Sequence, residues 1–114
     1  MITIYHNPMW SKSRKSVEIL KEEKIDFEII EYLKKAPTLK ELKSLIEKLS
    51  LNPIDLIRKK DKLFKELQID AINESEKILD IITKNPKLLE RPIVVKGEKA
   101  IIARPPELLY DIIK

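Results

Sequence analysis

The sequence predicts a mixed α/β layer architecture in which a β-α-β unit and a β-β-α unit flank a helical insert, and three observations predict it. Short β-branched and aromatic runs stand near the two ends of the chain, at Ile2 to Tyr5 and Ile93 to Ile102, as strands require. The middle of the chain instead repeats its apolar residues at helical spacing. A total of 114 residues is the usual size of one domain, long enough to bury a core without disulfide or structural metal.

Taken in order, Ile2 to Tyr5 reads as a buried first strand that stops at the turn signal His6-Asn7-Pro8. From Ser11 the pattern is helical, with Val17, Ile19 and Leu20 opposite Lys12, Lys15, Glu18 and Lys21. Asp26 to Tyr32 reads as a second strand, expected to lie parallel to the first because a helix connects them. Thr38 to Leu49 is an amphipathic helix capped by Thr38, with Glu41 completing a capping box. Asn52-Pro53 restarts a helix, Lys62 to Leu67 adds a further turn or two, and Asn73 caps a stretch carrying Ile78, Leu79, Ile81 and Ile82. After the stop at Asn85-Pro86, Ile93 to Val95 and Ala100 to Ile102 form a hairpin about Lys96-Gly97-Glu98. Pro105 to Ile113 is a closing helix with proline in its first turn. This order is that of a single thioredoxin-like domain over 1–114 with a mixed parallel and antiparallel four-stranded sheet.

Composition excludes several function classes. The 23 basic and 19 acidic residues alternate without long runs and leave a net charge of +4, so the chain suits small anions better than a nucleic-acid backbone. Cysteine is absent, which removes disulfides, thiolate metal sites and any thiol nucleophile. A single histidine and a single glycine argue against a histidine-rich metal site and against glycine-rich phosphate loops. No apolar run approaches the roughly 20 residues of a membrane span, and a cytoplasmic protein is expected.

Three places could carry chemistry. The loop His6 to Arg14 delivers backbone N–H groups at a helix N-terminus, where anions are attracted. Ser11 and Ser13 could add hydroxyl donors there and Lys12 and Arg14 positive charge; the alternative is that Ser11 merely caps the helix. Secondly, only Arg14, Arg58, Arg91 and Arg104 of the basic residues are arginine, and the planar guanidinium fork binds oxyanions in a way lysine cannot. Arg91 and Arg104 directly precede proline, which holds their backbones extended; surface ion pairs are the competing explanation. Thirdly, Trp10 stands in a polar turn, either as a packing anchor or as part of a site. His6 reads as hydrogen-bonded structure.

With these residues placed, the sequence resembles the glutaredoxin-like arsenate reductase (ArsC) family from end to end. The match lies in Ile2 to Pro8 followed by Ser11 to Arg14, in Ile57-Arg58-Lys59, and in Glu90 to Val95 with Ala103 to Glu107. The resemblance implies that Arg58, Arg91 and Arg104 hold an oxyanion such as arsenate, phosphate or sulfate. It further implies that Pro92 is the cis-proline beside the site, and that glutathione and glutaredoxin are the family's reductants, with no bound cofactor. The family's nucleophilic cysteine aligns with Trp10, so the usual two-electron sulfur chemistry has no thiol to run on. A related branch, the Spx-type regulators, uses the same fold to bind RNA polymerase; it carries a Cys-x-x-Cys pair where this chain has Trp10 and Ser13, and it lacks the segment Arg104 to Glu107. The resemblance therefore implies an oxyanion-binding relative of the reductases impaired in thiol-linked reduction, with Spx-like protein binding as the alternative.

Overall fold

Strand β1 (Ile2–Tyr5) is the inner strand on which the rest of the sheet is built, parallel to β2 (Phe27–Ile30) on one side and antiparallel to β3 (Ile93–Lys96) on the other. Strand β4 (Lys99–Ile102) completes the order β2-β1-β3-β4. The computed structural model describes residues 2–113. The chain divides into two compact units, one joining Met1–Lys35 to Arg91–Lys114 and the other spanning Ala36–Glu90.

In the first unit, the register places Ile4 beside Val94, and both are fully buried. Helix α1 (Ser11–Glu22) covers this face with Ile19 and Leu20, and α5 (Leu109–Ile113) covers it with Leu109 and Ile112. Burying a leucine or isoleucine contributes about 1.5–3 kcal/mol each, so these few residues account for the attachment of α1 to the sheet. The other face carries Tyr5 opposite Ile93, also buried. Beyond α1, Lys24 adopts φ 55° and the Ile25 N–H reaches back to the Leu20 carbonyl at 3.2 Å, a left-handed helix stop made without glycine. Gly97, at φ 60°, is where a left-handed residue is needed to turn β3 into β4.

In the second unit, α2 (Leu39–Leu49) begins as the capping signal predicts: Thr38 Oγ1 accepts from the Glu41 N–H at 3.1 Å. Its buried Leu42 and Leu45 belong to the same unit as Ile78, Leu79 and Ile82 of α4 (Ser75–Lys84). Lys43 Nζ meets Glu76 Oε1 at 2.6 Å across the pair. A short helix, α3 (Lys62–Glu66), starts at Asp61, whose carboxylate accepts from the Leu63 N–H at 3.0 Å. Ser50 and Gln68 end helical segments at φ 56° and 51°.

Several elements are shorter than the sequence predicts. The second strand covers only Phe27–Ile30, because the four residues of β1 supply no further partners and β2 lies at the sheet edge with Ile29 42% exposed. Asn52-Pro53 yields a single 3₁₀ turn, Pro53–Leu56. The cap of α4 is Glu74, leaving Asn73 outside the helix. The closing segment is a 3₁₀ turn, Pro106–Leu108, followed by α5; Pro105, which precedes a proline, is extended at ψ 160° and lies outside both. Among the described residues no helix is long and apolar enough to cross a membrane.

Candidate functional site

The loop between β1 and α1 is held from within. Asn7 Oδ1 accepts from the Met9 N–H at 3.0 Å, and the Trp10 N–H donates to the Asn7 carbonyl at 3.1 Å, so that Asn7 organises the turn. Ser13 Oγ accepts from the Asn7 N–H at 3.0 Å and lies 2.6 Å from His6 Nδ1. Arg14 Nη1 donates to the Pro8 carbonyl at 3.0 Å. The first turn of α1 thus fixes the loop that precedes it.

This geometry separates the two serines. Ser13 is fully buried, and its hydroxyl is engaged by the loop. Ser11 is exposed and is the first helical residue, not the cap. The cap is Trp10, which offers no side-chain acceptor; its carbonyl takes the Arg14 N–H at 3.0 Å. No acidic residue stands in the first turn of α1, so nothing there offsets the positive helix end. Beside Ser11, a shallow open depression runs between Lys12 and Arg14 on one wall and Pro106 and Glu107 on the other.

Burial holds the His6 imidazole below its ordinary pKa of 6.5; Glu31 opposes that shift and Arg14 adds to it. A lowered folded pKa means that the unfolded chain takes up the proton more readily. The contribution to stability is therefore present above 6.5 and is lost as pH falls through the folded value. The expected result is that the protein loses stability relative to His6→Asn between about pH 7.5 and about pH 5.5. Urea denaturation of both proteins at the two pH values measures it; parallel losses would show that His6 carries none of the effect.

The two Arg-Pro segments meet at one end of the sheet. Pairing of Ile93 with Ile102 is continued by the Ala103 N–H donating to the Pro92 carbonyl at 2.8 Å, and Tyr5, the last residue of β1, pairs with Ile93. The site loop, Arg91-Pro92 and Ala103-Arg104 therefore leave the sheet at the same end. Both Arg91-Pro92 and Arg104-Pro105 are cis peptides. Arg104 is exposed. Arg91 is only 5% exposed, and its guanidinium carbon lies 3.6 Å from the centroid of the Trp10 ring. Such stacking is a cation–π contact.

Arg58 belongs to the second unit. Its N–H donates to the Leu88 carbonyl at 2.7 Å, and the Glu90 N–H donates to the Leu56 carbonyl at 2.6 Å, fixing an antiparallel bridge between Ile57 and Leu89. Its Nη1 lies 3.7 Å from Asp61 Oδ2, with the two side chains 20% and 13% exposed. Sequence reasoning missed this carboxylate, although an acidic residue three positions after an arginine is a visible signal. The Trp10–Arg91 stack had no local signal, because the two residues are far apart in the chain.

A parallel strand pair joined by a helix, an antiparallel hairpin, and a helix N-terminus beside Arg91-Pro92 define the thioredoxin-like class of the arsenate reductases. The chain belongs to the ArsC family, whose model matches residues 5–112. It is 39% identical over 114 residues to an arsenate reductase of Haemophilus influenzae, covering 98% of each chain. It is also 40% identical over 114 residues to the uncharacterized protein YfgD of Escherichia coli, covering 98% of this chain and 96% of that one. Among solved structures, an arsenate reductase from Vibrio cholerae superposes with a TM-score of 0.92 at 39% identity, over 97% of this chain and 96% of that one. The protein is thus arsenate-reductase-like and contains no cysteine.

Proposed function

We propose that this protein binds a small tetrahedral oxyanion, of the class of arsenate, phosphate and sulfate, and does not reduce it by thiol chemistry. The observation that supports the reading is that two Arg-Pro segments and the loop carrying Trp10 lie at one end of the sheet in a chain without cysteine. Arg91 and Arg104 are the donors, since the guanidinium fork matches the oxygen geometry of such anions. Ser11 and the adjoining helix N-terminus supplement them. Ser13 orders the loop instead of touching the anion. Glutathione and glutaredoxin, the reductants of the family chemistry, have no protein thiol to act on here. Docking to a protein such as RNA polymerase in the Spx manner is the alternative, favoured by Met9, which is 81% exposed on the site loop.

Calorimetric titration with arsenate, phosphate and sulfate tests the reading. Binding is expected at millimolar anion or below, weakened roughly tenfold in Arg104→Ala, the loss of one charge-assisted contact. Arg104 is exposed, so that variant is expected to fold. Absence of heat with all three anions would sink the oxyanion reading and leave protein docking.

A further inference from the structure

Two anchored stretches of backbone set Trp10 against Arg91. The Trp10 N–H donates to the Asn7 carbonyl at 3.1 Å, and the Trp10 carbonyl accepts from the Arg14 N–H at 3.0 Å, so the indole leaves the chain at a fixed point, the cap of α1. Arg91 precedes Pro92, whose carbonyl accepts from the Ala103 N–H at 2.8 Å, and Ile93 beyond it pairs with Tyr5. The register of β1 and β3 therefore brings the two residues together.

The Arg91 guanidinium carbon lies 3.6 Å from the ring centroid, so the indole covers a face of the guanidinium. A guanidinium directs its five N–H bonds outward in its own plane. An aromatic ring thus meets the face and an oxyanion meets the edge, and the two contacts are compatible. What the ring removes is freedom. An arginine side chain has many rotamers, and a ligand that binds it must otherwise immobilise them. Arg91, stacked and only 5% exposed, has lost most of that freedom in advance, whereas Arg104 is exposed. Trp10 is itself 44% exposed; a tryptophan serving only as a packing anchor would be more deeply buried.

We infer that Trp10 is a positioning residue for oxyanion binding: its ring holds the plane of the Arg91 guanidinium and leaves the N–H edge to the oxygens of the ligand. The inference rests on the oxyanion reading and adds the part that tryptophan plays at position 10. Immobilising one rotamer-rich side chain in advance corresponds to roughly 2- to 10-fold in affinity. The stack persists when the anion is bound.

Calorimetric titration with arsenate compares the protein with Trp10→Phe, Trp10→Leu and Trp10→Ala. Trp10→Leu and Trp10→Ala are expected to bind roughly 2- to 10-fold more weakly, while Trp10→Phe, which keeps a stacking face, stays within about twofold of the unaltered protein. Leucine retains bulk without a π face, so it separates stacking from the mere filling of space. A second readout uses the unaltered protein alone: the NMR signals of its four arginine Nε–H groups. One of them is expected to be displaced by the indole ring current in the free protein and to stay displaced at saturating arsenate. A free protein with no displaced signal, return of that signal to its ordinary position on binding, or full affinity in Trp10→Leu each overturns the positioning role while arsenate binding stands. Absence of heat in the unaltered protein and in all three variants removes the oxyanion reading and the positioning role together.

Discussion

Arsenate reduction with glutathione and glutaredoxin is expected to remain at background for the protein as it stands and to rise about 10³-fold or more in Trp10→Cys. The reaction takes two electrons from sulfur as thiols become disulfide, and the chain contains no sulfur of that kind. A cysteine at position 10 would occupy the cap of α1, where the helix N-terminus lowers a thiol's pKa and raises its thiolate fraction. The first turn there carries no carboxylate to oppose this. The same substitution removes the indole from Arg91. Steady-state turnover of both proteins, with arsenite as the measured product, decides the matter. A folded Trp10→Cys protein that binds arsenate but does not reduce it would show that the arginines have been turned to another purpose.

The second large effect is on stability. Leu20→Ala is expected to cost about 2–5 kcal/mol, which for a chain of this size lowers the melting temperature by roughly 10–20 °C. The reason is the sparse apolar content of α1. Its buried positions are Ser13, Ser16, Ile19 and Leu20. Ser16 Oγ donates to the Lys12 carbonyl within the helix, and Ser13 is engaged with the loop. Ile19 and Leu20 are the fully buried apolar anchors on the sheet, with partly buried Val17 packed beside them. Truncating one of them leaves a cavity between the helix that carries the site loop and the strands beneath it. Leu33→Ala, at a position 44% exposed, is the control, expected within about 0.5 kcal/mol. Thermal unfolding followed by circular dichroism reads both, and a small loss for Leu20→Ala would mean that α1 is anchored elsewhere.

How much of this was legible in the sequence depends on how local each feature is. The strand of Ile2 to Tyr5, the Thr38 cap and the hairpin about Gly97 follow from neighbouring residues, and they stand where the pattern put them. Strand length was not local: β2 ends where β1 ends, so Asp26, Glu31 and Tyr32 lie outside it for reasons outside their own segment. Caps failed by one position, with Trp10 in place of Ser11 and Glu74 in place of Asn73, because neither observed cap uses its side chain. At the site, residue types pointed to arginines and a helix N-terminus, and the family likeness followed from spaced motifs. Which serine faces solvent was illegible, because Ser11 and Ser13 differ only in helical phase, and that phase decides burial. The Trp10–Arg91 stack and the Arg58–Asp61 pair depend on tertiary placement and on side-chain geometry that no period encodes.

The left-handed residues have a consequence of another kind. Lys24, Ser50 and Gln68 hold positive φ in a chain whose single glycine is used in the hairpin. A left-handed residue with a Cβ costs about 1–2 kcal/mol relative to glycine's tolerance of the same backbone. Three helix endings are therefore made by residues that fit them poorly, and the remaining contacts outweigh that misfit. The fold has latent room to become more heat-resistant through its helix endings alone, with no change to the loop between β1 and α1.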